Sequence, residues 1–134
     1  MKKLFTNNIE IDSNLKTVTD TLASAFTLAK WNYAISKVTE VGADKFAIHR
    51  NEPAVNQDEI VTVEKNDNEV VYVSRGGKLE YQLAFQISQT DGRVLVTETF
   101  YVLNNFSLPE ALIAPITKKA FNQNLQALKN LIEA

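Results

Sequence analysis

The stretch VTETFYV, Val96 to Val102, holds the residue most capable of chemistry. Its side chains alternate as in a β-strand, and Glu98 shares one parity with Val96, Phe100 and Val102. A carboxylate in an apolar row is expensive unless it is paired, and burial raises its pKa. A raised pKa is what a general acid or proton shuttle needs. Glu98 is therefore the candidate catalytic residue and a candidate ligand contact. Plainer readings stand beside this one. Glu98 could lie at an open mouth, pair with Lys37, Arg50, Arg75 or a tyrosine hydroxyl, or be turned to solvent by a bulge.

Other chemical candidates are sparse. His49 is the single histidine. If Ile48 points inward, His49 points to water, and a lone histidine is weak evidence for a metal site or a base. No serine sits in a nucleophile elbow and no glycine-rich phosphate loop is present, since RGGK is better explained as a hairpin turn. There is no cysteine, which excludes disulfides and thiolate nucleophiles and fits a reducing compartment. The expected location is cytoplasmic, with no metal and no cofactor. No basic stripe stands out at a net charge of −2, which argues against nucleic acid. No signal sequence and no transmembrane segment are expected.

These residues need elements to position them. Phe5, Ile9 and Ile11 alternate in a first strand. DSN then offers a helix cap at Asp12 or Ser13, and Leu15, Val18 and Leu22 give a short helix over about 14–23. AFTLAKW reads as a second short helix ending near Trp31. Six strands follow: YAISKVTEV, KFAIHR, EIVTVEK, EVVYVSR, LEYQLAFQIS and VLVTETFYVL. GAD, NDN, RGGK and TDGR separate four of the hairpins. Ser107 and Glu110 form a capping-box pattern ahead of an amphipathic helix with Phe121, Leu125, Leu128 and Ile132 on one stripe. Pro115 should kink that helix or move its start later.

Turn lengths fix the register. A two-residue Asp91-Gly92 loop sets Phe85 opposite Glu98, Leu83 opposite Phe100 and Tyr81 opposite Val102. A two-residue Gly76-Gly77 loop would set Tyr72 opposite Tyr81, Val70 opposite Leu83 and Ser74 opposite Leu79. One face then collects Val70, Tyr72, Leu79, Tyr81, Leu83, Phe85, Ile87, Val96, Phe100 and Val102, with Glu98 among them. Such a face must be covered, and the C-terminal helix is the large partner available. Ile60, Val71 and Val73 fall on the other face, where three neighbouring apolar residues could mark a partner patch or homodimer contact.

This order resembles the START-like helix-grip fold of the SRPBCC superfamily, which includes lipid-transfer domains and polyketide cyclases. The resemblance spans nearly the whole chain. It is carried by NNIEIDSNLKTVTDTLAS at the start, Trp31 near the end of the short second helix, and NLQALKNLIEA at the close. It implies a single α+β domain over 1–134, with a seven-stranded antiparallel curved sheet wrapped around the long C-terminal helix. It also implies a cavity between them for a hydrophobic small molecule. The lining expected from the register is Trp31, Tyr72, Tyr81, Leu83, Phe85, Glu98, Phe100, Ile116 and Phe121. Binding or transport of that ligand is the leading expectation. A cyclase- or dehydratase-like enzyme using Glu98 with Tyr72 or Tyr81 is the second. A protein-interaction module with a closed cavity is the third. The sequence leaves open whether a reaction is catalysed.

Overall fold

The computed structural model describes residues 1–104 and 109–134. Strand β1 (Lys2–Ile11) leads to helix α1 (Leu15–Ala23), a 3-10 turn (Ala25–Thr27) and helix α2 (Leu28–Trp31). Six strands follow: β2 (Ile35–Gly42), β3 (Lys45–Arg50), β4 (Asp58–Lys65), β5 (Glu69–Arg75), β6 (Tyr81–Thr90) and β7 (Arg93–Val102). Helix α3 (Glu110–Glu133) closes the chain. All strand pairs are antiparallel, in the order β1-β7-β6-β5-β4-β3-β2. The seven-stranded sheet curves around α3, as the resemblance implies.

Local chemistry accounts for the element ends. Asn14, one residue beyond the two expected caps, accepts from the backbone N–H of Thr17 at 2.8 Å and starts α1. Ser107 of the capping-box pattern lies outside the described residues. Pro115 sits inside α3, which begins at Glu110, so the later start is not what the chain adopts. The helix forgoes one backbone bond there, since a proline nitrogen cannot donate to the Ala111 carbonyl four residues earlier.

The two glycine turns behave differently. Asp91 and Gly92 both have positive φ (50° and 77°), the geometry of a type I′ hairpin. The register follows: Thr90 faces Arg93, Phe85 faces Glu98 and Tyr81 faces Val102. Between β5 and β6 the two-residue turn is corrected. The connection is Gly76–Glu80, so Ser74 rather than Tyr72 faces Tyr81, and Tyr72 faces Leu83. The shift is two residues, which leaves every side chain on its expected face. The cause is Asn56. Its Nδ2 donates to the Leu79 carbonyl at 2.6 Å and its Oδ1 accepts from the Leu79 N–H at 2.9 Å. The wider loop is folded onto this side chain, and a Cβ on Gly77 would come within 2.4 Å of it.

The core lies between the inner face and the helices. Phe85, Val70, Val94, Val96, Leu125 and Leu128 are fully buried there. Rings run across it: Phe5 stacks on Phe100 (5.2 Å), Phe100 stacks on Tyr81 (4.8 Å), and Phe121 of α3 meets both phenylalanines edge-on. Register shifts interrupt β1 between Lys3 and Phe5, and β2 between Ile35 and Lys37 and again between Glu40 and Gly42. Among the described residues, no helix is long and apolar enough to cross a membrane.

Gly77→Ala is expected to displace the Asn56 amide and cost about 1–3 kcal/mol in denaturant unfolding, the range for a lost buried hydrogen-bond partner. An unchanged midpoint would show that Asn56 does not hold this loop.

Candidate functional site

Glu98 stands in the middle of β7 with its side chain under α3, and it is 0 % exposed. Strand β1 supplies its one partner among the described residues. Asn7 lies directly opposite in the register and donates from Nδ2 to Glu98 Oε1 at 3.3 Å. The same Nδ2 lies 3.0 Å from the Lys118 carbonyl of α3. Glu98 Oε2 has no hydrogen-bond partner among the described residues. The pairings with Lys37, Arg50, Arg75 or a tyrosine hydroxyl do not form, and no bulge turns the side chain outward.

Burial pushes the Glu98 carboxyl up to about 8, while the Asn7 bond pulls it down. Removing water penalises the charged form, and one amide donor replaces only part of what water supplied. Because the folded value lies above the ordinary one, stabilisation by the protonated acid is complete below about pH 4.5. It is lost as pH rises through about 8.

A second acidic group lies on the same inner face. Glu59 of β4 is buried, and it is fully partnered. Arg50 of β3 pairs with its Oε1, and the Tyr81 hydroxyl donates to the same oxygen at 3.2 Å. Ser74 donates to Oε2, and Asn56 Nδ2 reaches that oxygen at 3.2 Å. Arg50 also donates to the Tyr81 hydroxyl at 3.2 Å. This cluster was legible by parity, although the sequence reading missed it. Glu59 alternates with Val61 and Val63, Arg50 with Ile48 and Phe46, and Asn7 with Phe5 and Ile9, all apolar rows.

A cavity of about 20 Å³ separates sheet from helix. That is room for about one water molecule. Its wall includes Trp31, Tyr72, Tyr81, Leu83, Glu98 and Phe121, together with Arg50 and Glu59. Phe85 and Phe100 are buried in the core beneath these residues and do not reach the cavity. Ile116 is not part of the wall: it is 73 % exposed, because it lies on the outward side of α3, while Ile113, Thr117, Phe121 and Asn124 carry the half-buried side. Leu112, four residues earlier, is exposed as well. The Tyr72 hydroxyl donates to the Leu22 carbonyl at 2.6 Å, and burial raises its pKa. Neither tyrosine hydroxyl is bonded to Glu98.

The opposite face of the sheet carries a wider, open depression of about 550 Å³ beside Lys37, Thr39, Ala47, His49, Asp58 and Ile60. His49 is not alone there, since its Nδ1 lies 2.7 Å from Asp58 Oδ1. No nucleophile or second metal ligand joins that pair, and no group of three potential metal-binding side chains occurs among the described residues. The internal cavity is the better candidate. It lies between sheet and helix, and its wall includes Glu98, one of whose oxygens has no partner among the described residues.

No protein-family model and no curated protein matches this sequence. Solved structures do match. A START superfamily protein of Mycobacterium smegmatis superposes with a TM-score of 0.81 at 13% identity, covering 96% of each chain. A conserved protein of Geobacillus kaustophilus gives 0.78 at 15% identity, over 95% of this chain and 93% of that one. The Aha1 dimer of Colwellia psychrerythraea gives 0.67 at 19% identity, over 99% and 97%. The fold is START-like.

Three variants test the opposed acids. Glu98→Gln keeps an acceptor for Asn7 and cannot ionise. It should leave stability near pH 5 little changed and raise it near pH 9 by on the order of 2–5 kcal/mol, at about 1.4 kcal/mol per pKa unit. Parallel pH profiles for variant and wild type would contradict the burial described. Arg50→Met leaves Glu59 buried without its cation and should cost about 3–5 kcal/mol. Adding Glu59→Gln should recover part of that loss in the same unfolding assay.

Proposed function

We propose that this START-like chain binds a small, mainly apolar molecule between sheet and helix α3, with Glu98 as the polar contact. One observation carries the reading: a fully buried carboxyl in the cavity wall whose Oε2 has no partner among the described residues. Leaving a buried polar atom unsatisfied costs about 1–3 kcal/mol. A ligand that bonds it recovers that cost on binding. The apolar wall of Trp31, Leu83 and Phe121 supports the same reading.

The cavity is small as it stands, so entry requires a wall to move. The strands are locked in a continuous ladder, and the end of α3 is tied down. Leu125 and Leu128 are buried, Lys129 donates to the Glu10 carbonyl at 2.9 Å, and Glu133 accepts from the Asp12 N–H at 2.8 Å. Before Phe121, by contrast, α3 holds no buried residue. Swinging this first half outward breaks the Asn7–Lys118 bond and the exposed Lys2–Glu110 ion pair but uncovers no fully buried α3 side chain, and it opens the cavity at Phe121. Segments with little buried apolar area are those that open at low free energy.

A closed-cavity interaction module is the second reading, and the cavity of about 20 Å³ is what favours it. Ile60, Val71 and Val73 would supply its contact on the outer face, where they lie half-buried. A homodimer through that face is the simplest form. The acid/base enzyme is weaker, because the tyrosine hydroxyls that would assist Glu98 are committed to Leu22 and Glu59.

Native mass spectrometry of protein purified from its own source should detect a co-purifying small molecule. That molecule should raise thermal stability by mass action, about 2.7 kcal/mol at a hundredfold excess over Kd. Protein that carries nothing, and whose α3 amides exchange no faster before Phe121 than after Leu125, would favour the closed module.

A further inference from the structure

We infer that the cavity selects a neutral ligand that presents a carbonyl oxygen to the Glu98 carboxylic acid, and that it rejects free carboxylates and ammonium ions. The inference rests on the small-molecule reading above and names its chemical class.

The geometry begins at Asn7. Its amide donates to Glu98 Oε1, so that oxygen must offer a lone pair. A carboxyl group removed from water with a single donor bond is more stable as the neutral acid. The proton then belongs on Oε2, the oxygen that has no partner among the described residues. An acid O–H facing an apolar cavity is a donor in search of an acceptor.

Charge decides which acceptor fits. The one cation among the described wall residues is Arg50, and it is engaged by Glu59 and by the Tyr81 hydroxyl. An incoming carboxylate would add negative charge to a wall that already carries two acidic groups and offers no free cation. An ammonium ion would lose its hydration and would need Glu98 ionised away from water, so two desolvation penalties would oppose one ion pair. A ketone, ester or amide oxygen needs neither change. It accepts the Oε2 proton, and the rest of the molecule lies against Trp31, Leu83 and Phe121. Selection of this kind works through exclusion as much as attraction.

Matched cyclohexyl probes test the claim. Methylcyclohexane, cyclohexanone, cyclohexylammonium and cyclohexanecarboxylate are titrated into the whole chain at about pH 6.5, followed by amide and Trp31 indole NMR shifts. Cyclohexanone should bind on the order of tenfold tighter than methylcyclohexane, the worth of one buried hydrogen bond. Neither ion should bind. Glu98→Leu should abolish the preference for the ketone, and Glu98→Gln, whose amide N–H can replace the acid O–H, should restore it relative to leucine. If Glu98→Leu does not fold, the wild-type ranking of the probes decides alone. A ketone no tighter than the hydrocarbon, or an ion that binds as well as the ketone, overturns the inference but leaves the small-molecule reading standing. Failure of all four probes overturns both.

Discussion

The inner face of this sheet is shaped by what happens to a carboxyl group when water is taken away. The chain meets the problem twice and solves it in opposite ways. Glu59 is surrounded by a guanidinium, two hydroxyls and an amide, and its charge is matched within the protein. Glu98 receives one amide donor and, among the described residues, keeps an open oxygen. The first arrangement joins β3, β4, β5 and β6 and clamps the loop after β5 through Asn56. The second joins β1, β7 and α3 through Asn7. One acid thus serves the framework, and the other is left available.

Much of this architecture was legible in the sequence, because it follows from period and turn chemistry. The Asp91-Gly92 turn admits one register, and the pairs from Thr90–Arg93 to Tyr81–Val102 follow from it. The Gly76-Gly77 pair misled for a physical reason. Two glycines permit a tight turn but do not compel one, and Asn56, twenty residues upstream, holds a wider loop. Parity survived because the error was an even number of residues. Glu98 was found because it breaks an apolar row. Glu59, Arg50 and Asn7 break theirs in the same way, but they lie on shorter or less uniform strands where the alternation is less conspicuous. Ile116 was misplaced because its type was weighed above its phase: it is apolar, but it lies off the Phe121–Leu125–Leu128 stripe and points outward. Cavity volume was not legible at all, since it depends on how Phe121, Trp31 and Leu83 meet in three dimensions.

The fold neighbours share this arrangement at 13% to 19% identity. What persists across so large a sequence distance is the fold. Individual side chains in the cavity are not constrained by the fold in this way, so the chemistry of the site has to be argued from the residues of this chain.

The two outermost strands have a consequence of their own. An open sheet ends in rows of unpaired backbone donors and acceptors, which can template growth from one molecule to the next. Both outer strands here are irregular: β1 between Lys3 and Phe5, and β2 near each of its ends. A kinked border offers a neighbouring chain only a short run of well-spaced amides before the match fails. The sheet is thereby protected against fibre-like stacking along its rim, and self-recognition, where it occurs, is steered toward side-chain surfaces.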